Sequence, residues 1–200
     1  MRRFIIIACC VITSSLLVAQ TRQGSLATLI QKGDRKAALE RIRGGADVNE
    51  AQPDGTRPIH WAVFKVDYEL LDALIAKKAK ADVTNEFGDT PLAEAVKVTD
   101  ARMVKTLLAA GAGVESPNLD GETALIRAVR LENVEIVKSL LDHGADPRRS
   151  DVFGNTAAIL AYEKDNAEMA ELLPPKFRRQ PRSVLNAFLQ LLMQHRDTLA

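Results

Sequence analysis

Residues 88–121 read GDTPLAEAVKVTDARMVKTLLAAGAGVESPNLDG, and this stretch decides the fold. It begins and ends on glycine, and a step of 33 residues in either direction lands on the same pattern. Gly55, Gly88, Gly121 and Gly154 are each 33 apart, as are Ala62, Ala95, Ala128 and Ala161, and Leu74, Leu107, Leu140 and Leu173. Ala46, Ala79, Ala112 and Ala145 keep the same step, and a fifth column reads Asp34, Asp67, Asp100, Asn133, Asn166. Five columns in register without an insertion define an internal repeat, and a period of this length belongs to stacked supersecondary units.

Each column has a physical task. The Asp/Asn column precedes a helical pattern, where a short side-chain oxygen caps free backbone N–H groups. Apolar residues at helical spacing follow, as in Met103, Val104, Leu107 and Leu108, or Ile136, Val137, Leu140 and Leu141. That helix ends at Gly45, Gly111 or Gly144, where glycine enters the left-handed region most easily. Lys78 stands there in the second unit, so mild strain is expected. A short helix then starts near Thr90-Pro91-Leu92, with proline in the first turn where its missing N–H costs little. The alanine column lets the two helices of a pair approach closely.

Gly88-Asp89-Thr90-Pro91-Leu92, Gly55-Thr56-Arg57-Pro58-Ile59-His60, Leu107-Leu108-Ala109-Ala110-Gly111-Ala112 and Leu140-Leu141-Asp142-His143-Gly144-Ala145-Asp146 together resemble the ankyrin repeat, as does Gly45-Ala46-Asp47-Val48-Asn49. The likeness runs from about residue 24 to 174. It implies an all-α solenoid of about five helix–turn–helix repeats, bounded at 24–52, 53–85, 86–118, 119–151 and 152–175. Departures concentrate at the ends. Arg41 replaces leucine in the first unit, and Ala157-Ala158 replaces Pro-Leu in the last, which Pro174-Pro175 closes. Terminal repeats face solvent on one side, so divergence there fits capping units.

The segments outside the repeats read differently. Met1-Arg2-Arg3, the apolar run Phe4 to Ile12 and the small-residue stretch Thr13 to Ala19 follow the order of a secretory signal peptide, with cleavage expected after Ala19. Two other readings stay open: an uncleaved anchor, since 18 residues separate Arg3 from Arg22, and a lipoprotein box at Ile6-Ile7-Ala8-Cys9, against which stands the short apolar run before it. Export implies a periplasmic or secreted protein. Cys9 and Cys10 both fall in this segment, so cleavage leaves no thiol for a disulfide, a nucleophile or a metal. Residues 176–182 form a basic, proline-punctuated linker. Residues 183–198 form an amphipathic helix, with Val184, Leu185, Phe188, Leu189, Leu191 and Leu192 on one arc. Amides rather than lysines line its polar side, which favours a C-terminal cap on the stack over membrane or partner docking.

Composition narrows the function. Aromatics are only 4% of the chain, so the core is built from Ala, Leu, Ile and Val. Without the two arginines of the first 19 residues, 25 lysines and arginines face 26 acids, too balanced a charge for nucleic-acid binding. His60, His143 and His195 are too dispersed for a metal site, and no glycine-rich loop precedes a lysine to cradle phosphate. No catalytic residue, cofactor, metal or small-molecule substrate is expected. The resemblance implies a hydrogen-bonding structural role for His60 between neighbouring loops, and Trp61 reads as packed between repeats.

The resemblance also places a partner protein on the loop tips and the exposed side of each first helix. The tips are Pro53-Asp54, Glu86-Phe87, Leu119-Asp120 and Val152-Phe153; the helix pairs are Phe64-Lys65, Lys97-Val98, Arg130-Leu131 and Glu163-Lys164. Apolar side chains at such wet positions are not required by the repeat's own packing, and aromatics and arginine dominate binding energy. Phe64, Phe87, Arg130 and Phe153 are therefore expected on one surface, unless the phenylalanines fold back on neighbouring loops. A non-catalytic protein-binding module leads. An immunity or inhibitor protein against a toxic enzyme, and a scaffold tethered through an uncleaved N-terminus, are the competing forms.

Overall fold

The computed structural model describes residues 24–164 and 166–173. The segments expected as signal peptide, linker and tail helix with His195, and Pro174-Pro175, lie outside the described residues. Among the described residues ten helices follow in order: α1 (Leu26–Lys32), α2 (Arg35–Arg43), α3 (Pro58–Phe64), α4 (Tyr68–Ala76), α5 (Pro91–Lys97), α6 (Ala101–Ala109), α7 (Ala124–Arg130), α8 (Val134–Asp142), α9 (Ala157–Glu163) and α10 (Ala167–Leu172). Among the described residues no strand forms beyond an isolated antiparallel bridge between Ser150 and Thr156.

Every one of these helices except α3, whose N-cap is Arg57, begins where the side chain of its N-cap residue accepts a backbone N–H. Asp34, Asp67, Asp100, Asn133 and Asn166 accept the N–H of the residue three positions on, opening α2, α4, α6, α8 and α10. Thr90, Thr123 and Thr156 do the same for α5, α7 and α9. Such caps are each worth about 1 kcal/mol. Odd-numbered helices stack on one another as one layer and even-numbered helices as a second. Leu74, Leu107, Leu140 and Leu173 lie at the seam, at most 2% exposed, and burial of each leucine contributes about 2 kcal/mol. Ala62, Ala95, Ala128 and Ala161 show no exposed surface, so nothing larger fits where paired helices meet.

Arg41, which breaks the leucine column, turns its guanidinium onto the Gly24 carbonyl at the start of the stack. Between α4 and α6 a side chain bridges the outer layer. The Tyr68 hydroxyl donates to Asp100, and the Arg102 guanidinium lies 4.3 Å from the Tyr68 ring centre.

Gly45, Gly111 and Gly144 take φ of +84°, +86° and +87°, and Lys78 takes +64°, the strain expected of it. A second left-handed column was not legible: Gly33, Val66, Thr99 and Glu132, at φ of +81°, +54°, +56° and +57°. These residues turn the chain between the helices of each pair. The turn closes because the N–H of Asp67 reaches Ala62 O and that of Val66 reaches Val63 O, with matching bonds at Thr99 and Glu132. Tertiary packing holds two β-branched residues in a conformation they disfavour.

Candidate functional site

The loop tips are held from inside. Asn85 Oδ1 accepts the N–H groups of Phe87 and Asp89 at 3.0 and 2.9 Å. Asn118 does so for Asp120 and Glu122, and Asp151 for Phe153 and Asn155. In the first such loop Asp54 Oδ1 accepts from Thr56 N at 3.0 Å. Neighbouring tips then join through backbone: Glu86 N donates to Asp54 O at 2.9 Å, and Val152 N to Asp120 O at 3.0 Å. Gly55, Gly88, Gly121 and Gly154 all take left-handed φ, from +72° to +76°, and at Gly88 the missing side chain also makes room for the next loop. A Cβ on Gly88 would lie 2.9 Å from Leu119 N, whereas one on Gly154 meets nothing within 4 Å.

With both ends of each loop tied down, the tip side chains point away from the stack. Phe87 is 61% exposed, Leu119 75%, Val152 66% and Phe153 76%, so neither phenylalanine folds back onto its neighbours. Phe64, at the end of α3, is 52% exposed, and Leu131, just past α7, is exposed as well. Pro53, Glu86 and Asp120 are exposed beside them, and Asp54 and Val98 are half-buried. Glu163 and Lys164 are exposed at the end of α9, with Lys164 paired to Glu132.

The structure brings some of these residues together and commits others elsewhere. Phe64 and Phe87 line one cavity of about 290 Å³ with Asp54, Trp61, Asp89, Glu94 and Lys97. Trp61 packs against the buried core, as expected, and one side of it also faces this cavity. It is half-buried, donates from Nε1 to Gln52 Oε1 at 2.7 Å, and meets Phe64 edge to face at 5.7 Å. Lys65 folds its ammonium over the Phe64 ring at 5.6 Å. Lys97 is tied to Asp89 and Glu94 at 3.2 and 3.0 Å. Burial alone would lower its pKa, but the two carboxylates outweigh that and raise it.

Arg130 is held in the same way. Its guanidinium, still exposed, is paired within the chain: Nε with Glu122 at 3.0 Å and Nη2 with Asp151 at 2.7 Å. The Asp151 side chain is only 1% exposed. Burial pushes that carboxyl up, but hydrogen bonds from Asn155 and the Phe153 N–H, and the Arg130 charge, hold it below the usual range. Arg130 thus fixes the loop that displays Phe153. The signal was present in the column Gln52, Asn85, Asn118, Asp151, whose last member alone is charged.

His60 is buried at 5% exposure. Its Nδ1 accepts the Arg57 N–H at 3.1 Å, which places the proton on Nε2, 3.3 Å from the Asp89 carbonyl oxygen. It bridges two loops as a neutral ring, and burial lowers its pKa. His143 caps α8 with Nδ1 2.8 Å from Ser139 O. Among the described residues, no cluster of His, Cys, Asp or Glu is arranged to hold a metal ion, and no helix is long and apolar enough to cross a membrane.

Compared with known families, residues 26–118 and, in a second overlapping match, 94–178 fit the family model described as ankyrin repeats (three copies). No curated protein matches the chain.

Proposed function

Because this chain belongs to the ankyrin-repeat family, whose repeats serve protein–protein interaction, we propose that it is a non-catalytic binding module that grips a partner protein. The binding edge consists of the loop tips and the exposed ends of the first helices. The observation that carries this is the row of uncovered apolar tips, with Phe87, Leu119, Val152 and Phe153 all above 60% exposed on loops whose backbones are tightly bonded. Rigid display of large apolar side chains reduces the ordering cost of association, and it serves no packing purpose within the stack. Export to the periplasm or beyond the cell is part of the same proposal and rests on residues 1–19.

Simultaneous replacement of Phe64, Phe87, Leu119 and Phe153 by glutamate tests the edge. Partner binding is lost while the helical circular dichroism and melting temperature hold; binding that survives all four charges refutes the assignment. Export has its own test. The mature protein begins near Gln20 and is released by osmotic shock, and a protein that retains Met1 or stays with the membrane refutes cleavage.

A further inference from the structure

The chemistry of the partner is written in the cavity between the first and second tip loops, those of Asp54 and Phe87. We infer that this hollow receives the guanidinium of an arginine presented by the partner protein, an inference that rests on the protein-binding reading above. Three aromatic rings line it: Trp61 and Phe64, set edge to face, and Phe87 from the next tip. Three carboxylates, Asp54, Asp89 and Glu94, line it as well, against one cation, Lys97, and a neutral His60. Asp89 and Glu94 are occupied by Lys97, and Arg127, 4.0 Å from Asp89, is itself paired with Glu122. Asp54 differs. Its Oδ1 accepts the Thr56 N–H, and it makes no ion pair among the described residues. Glu86, whose N–H donates to the Asp54 carbonyl, carries an exposed carboxylate that also makes no ion pair among the described residues.

An anion is repelled by this surplus of negative charge. An apolar side chain would strip water from Asp54 without pairing it, which is costly. A guanidinium meets both demands: its plane stacks on aromatic faces while its N–H groups bond a carboxylate in pairs. Phe64 already attracts a cation on the chain itself, the ammonium of Lys65.

Trp61 is the only tryptophan in the chain, so its fluorescence reports directly on the hollow. The whole mature protein is titrated with acetyl-Gly-Arg-Gly-amide and with the same peptide carrying citrulline or lysine in place of arginine. The arginine peptide gives a saturable change that weakens with salt. The citrulline and lysine peptides, and the Asp54→Asn and Phe87→Ala variants, weaken binding at least about tenfold. Asparagine keeps an acceptor for the Thr56 N–H, so the loop is preserved. Equal response to citrulline or lysine, no effect of Asp54→Asn, or no saturable change overturns the inference. If that happens while Leu119→Glu and Phe153→Glu still abolish partner binding, the edge stands and only the hollow's assignment falls. An arginine response alongside partner binding untouched by those two charges upholds the hollow and confines the binding edge to the end that carries Phe64 and Phe87.

Discussion

His60 shows how one buried ring ties protonation to stability. In the unfolded chain it titrates near 6.5, and in the folded chain burial holds it lower. Below pH 6.5 the unfolded state therefore binds more protons, so this ring's contribution is complete above 6.5 and is lost as pH falls toward the folded value. Urea melts between about pH 7.5 and 5.5 should show stability falling, with a shallower slope in His60→Gln, whose amide serves both hydrogen bonds without titrating; an unchanged slope would tell against the buried neutral ring. Val66 makes the opposite case, a residue at odds with its backbone. With φ at +54° and a branched Cβ, its replacement by the glycine that stands at the equivalent Gly33 should raise stability by about 1 kcal/mol. Thermal melts check this, and a lower melting temperature contradicts it. The Lys78 strain was legible because its column is otherwise glycine. Val66, Thr99 and Glu132 were not, because only Gly33 marks theirs and no side-chain pattern records the φ of a turn.

At the scale of helices and loops, the tips work only because successive loops touch. Gly88→Ala drives a Cβ into the backbone of Leu119 in addition to the left-handed penalty, while Gly154→Ala incurs that penalty alone. The first should cost about 1–3 kcal/mol more than the second in chemical denaturation; equal costs would mean that the tips do not bear on each other. Arg130→Ala should destabilise by about 1 kcal/mol, less than a fully buried pair because the Arg130 side chain is 41% exposed, since the buried Asp151 loses a counter-charge. A neutral effect on unfolding would contradict the structural role assigned to it. The helices themselves were readable from caps and apolar spacing, down to Thr90-Pro91 opening α5. The commitments of the long cations were not. Whether Arg130 or Lys97 faces a partner or a neighbouring carboxylate depends on which loop the stacking brings beside it, and a repeat column does not encode that.

The whole molecule follows from translation: each repeat buries its alanines and leucines against the next, and each adds one loop tip to a common edge. That much is legible from the 33-residue register, since a unit of two short helices cannot bury its apolar face alone. The hollow at Trp61 was not, because its walls come from residues 54 to 97, across two loops and two helices, and only folding brings them together. Photo-cross-linkers placed in intact cells at Phe87, Leu119 and Phe153, and at the exposed Asp72 and Asp142 of the second helix layer, examine the binding edge most directly. Adducts of one common partner at the three tips and none at Asp72 or Asp142 are expected. Adducts confined to Asp72 and Asp142 would show that the partner grips the other side of the stack.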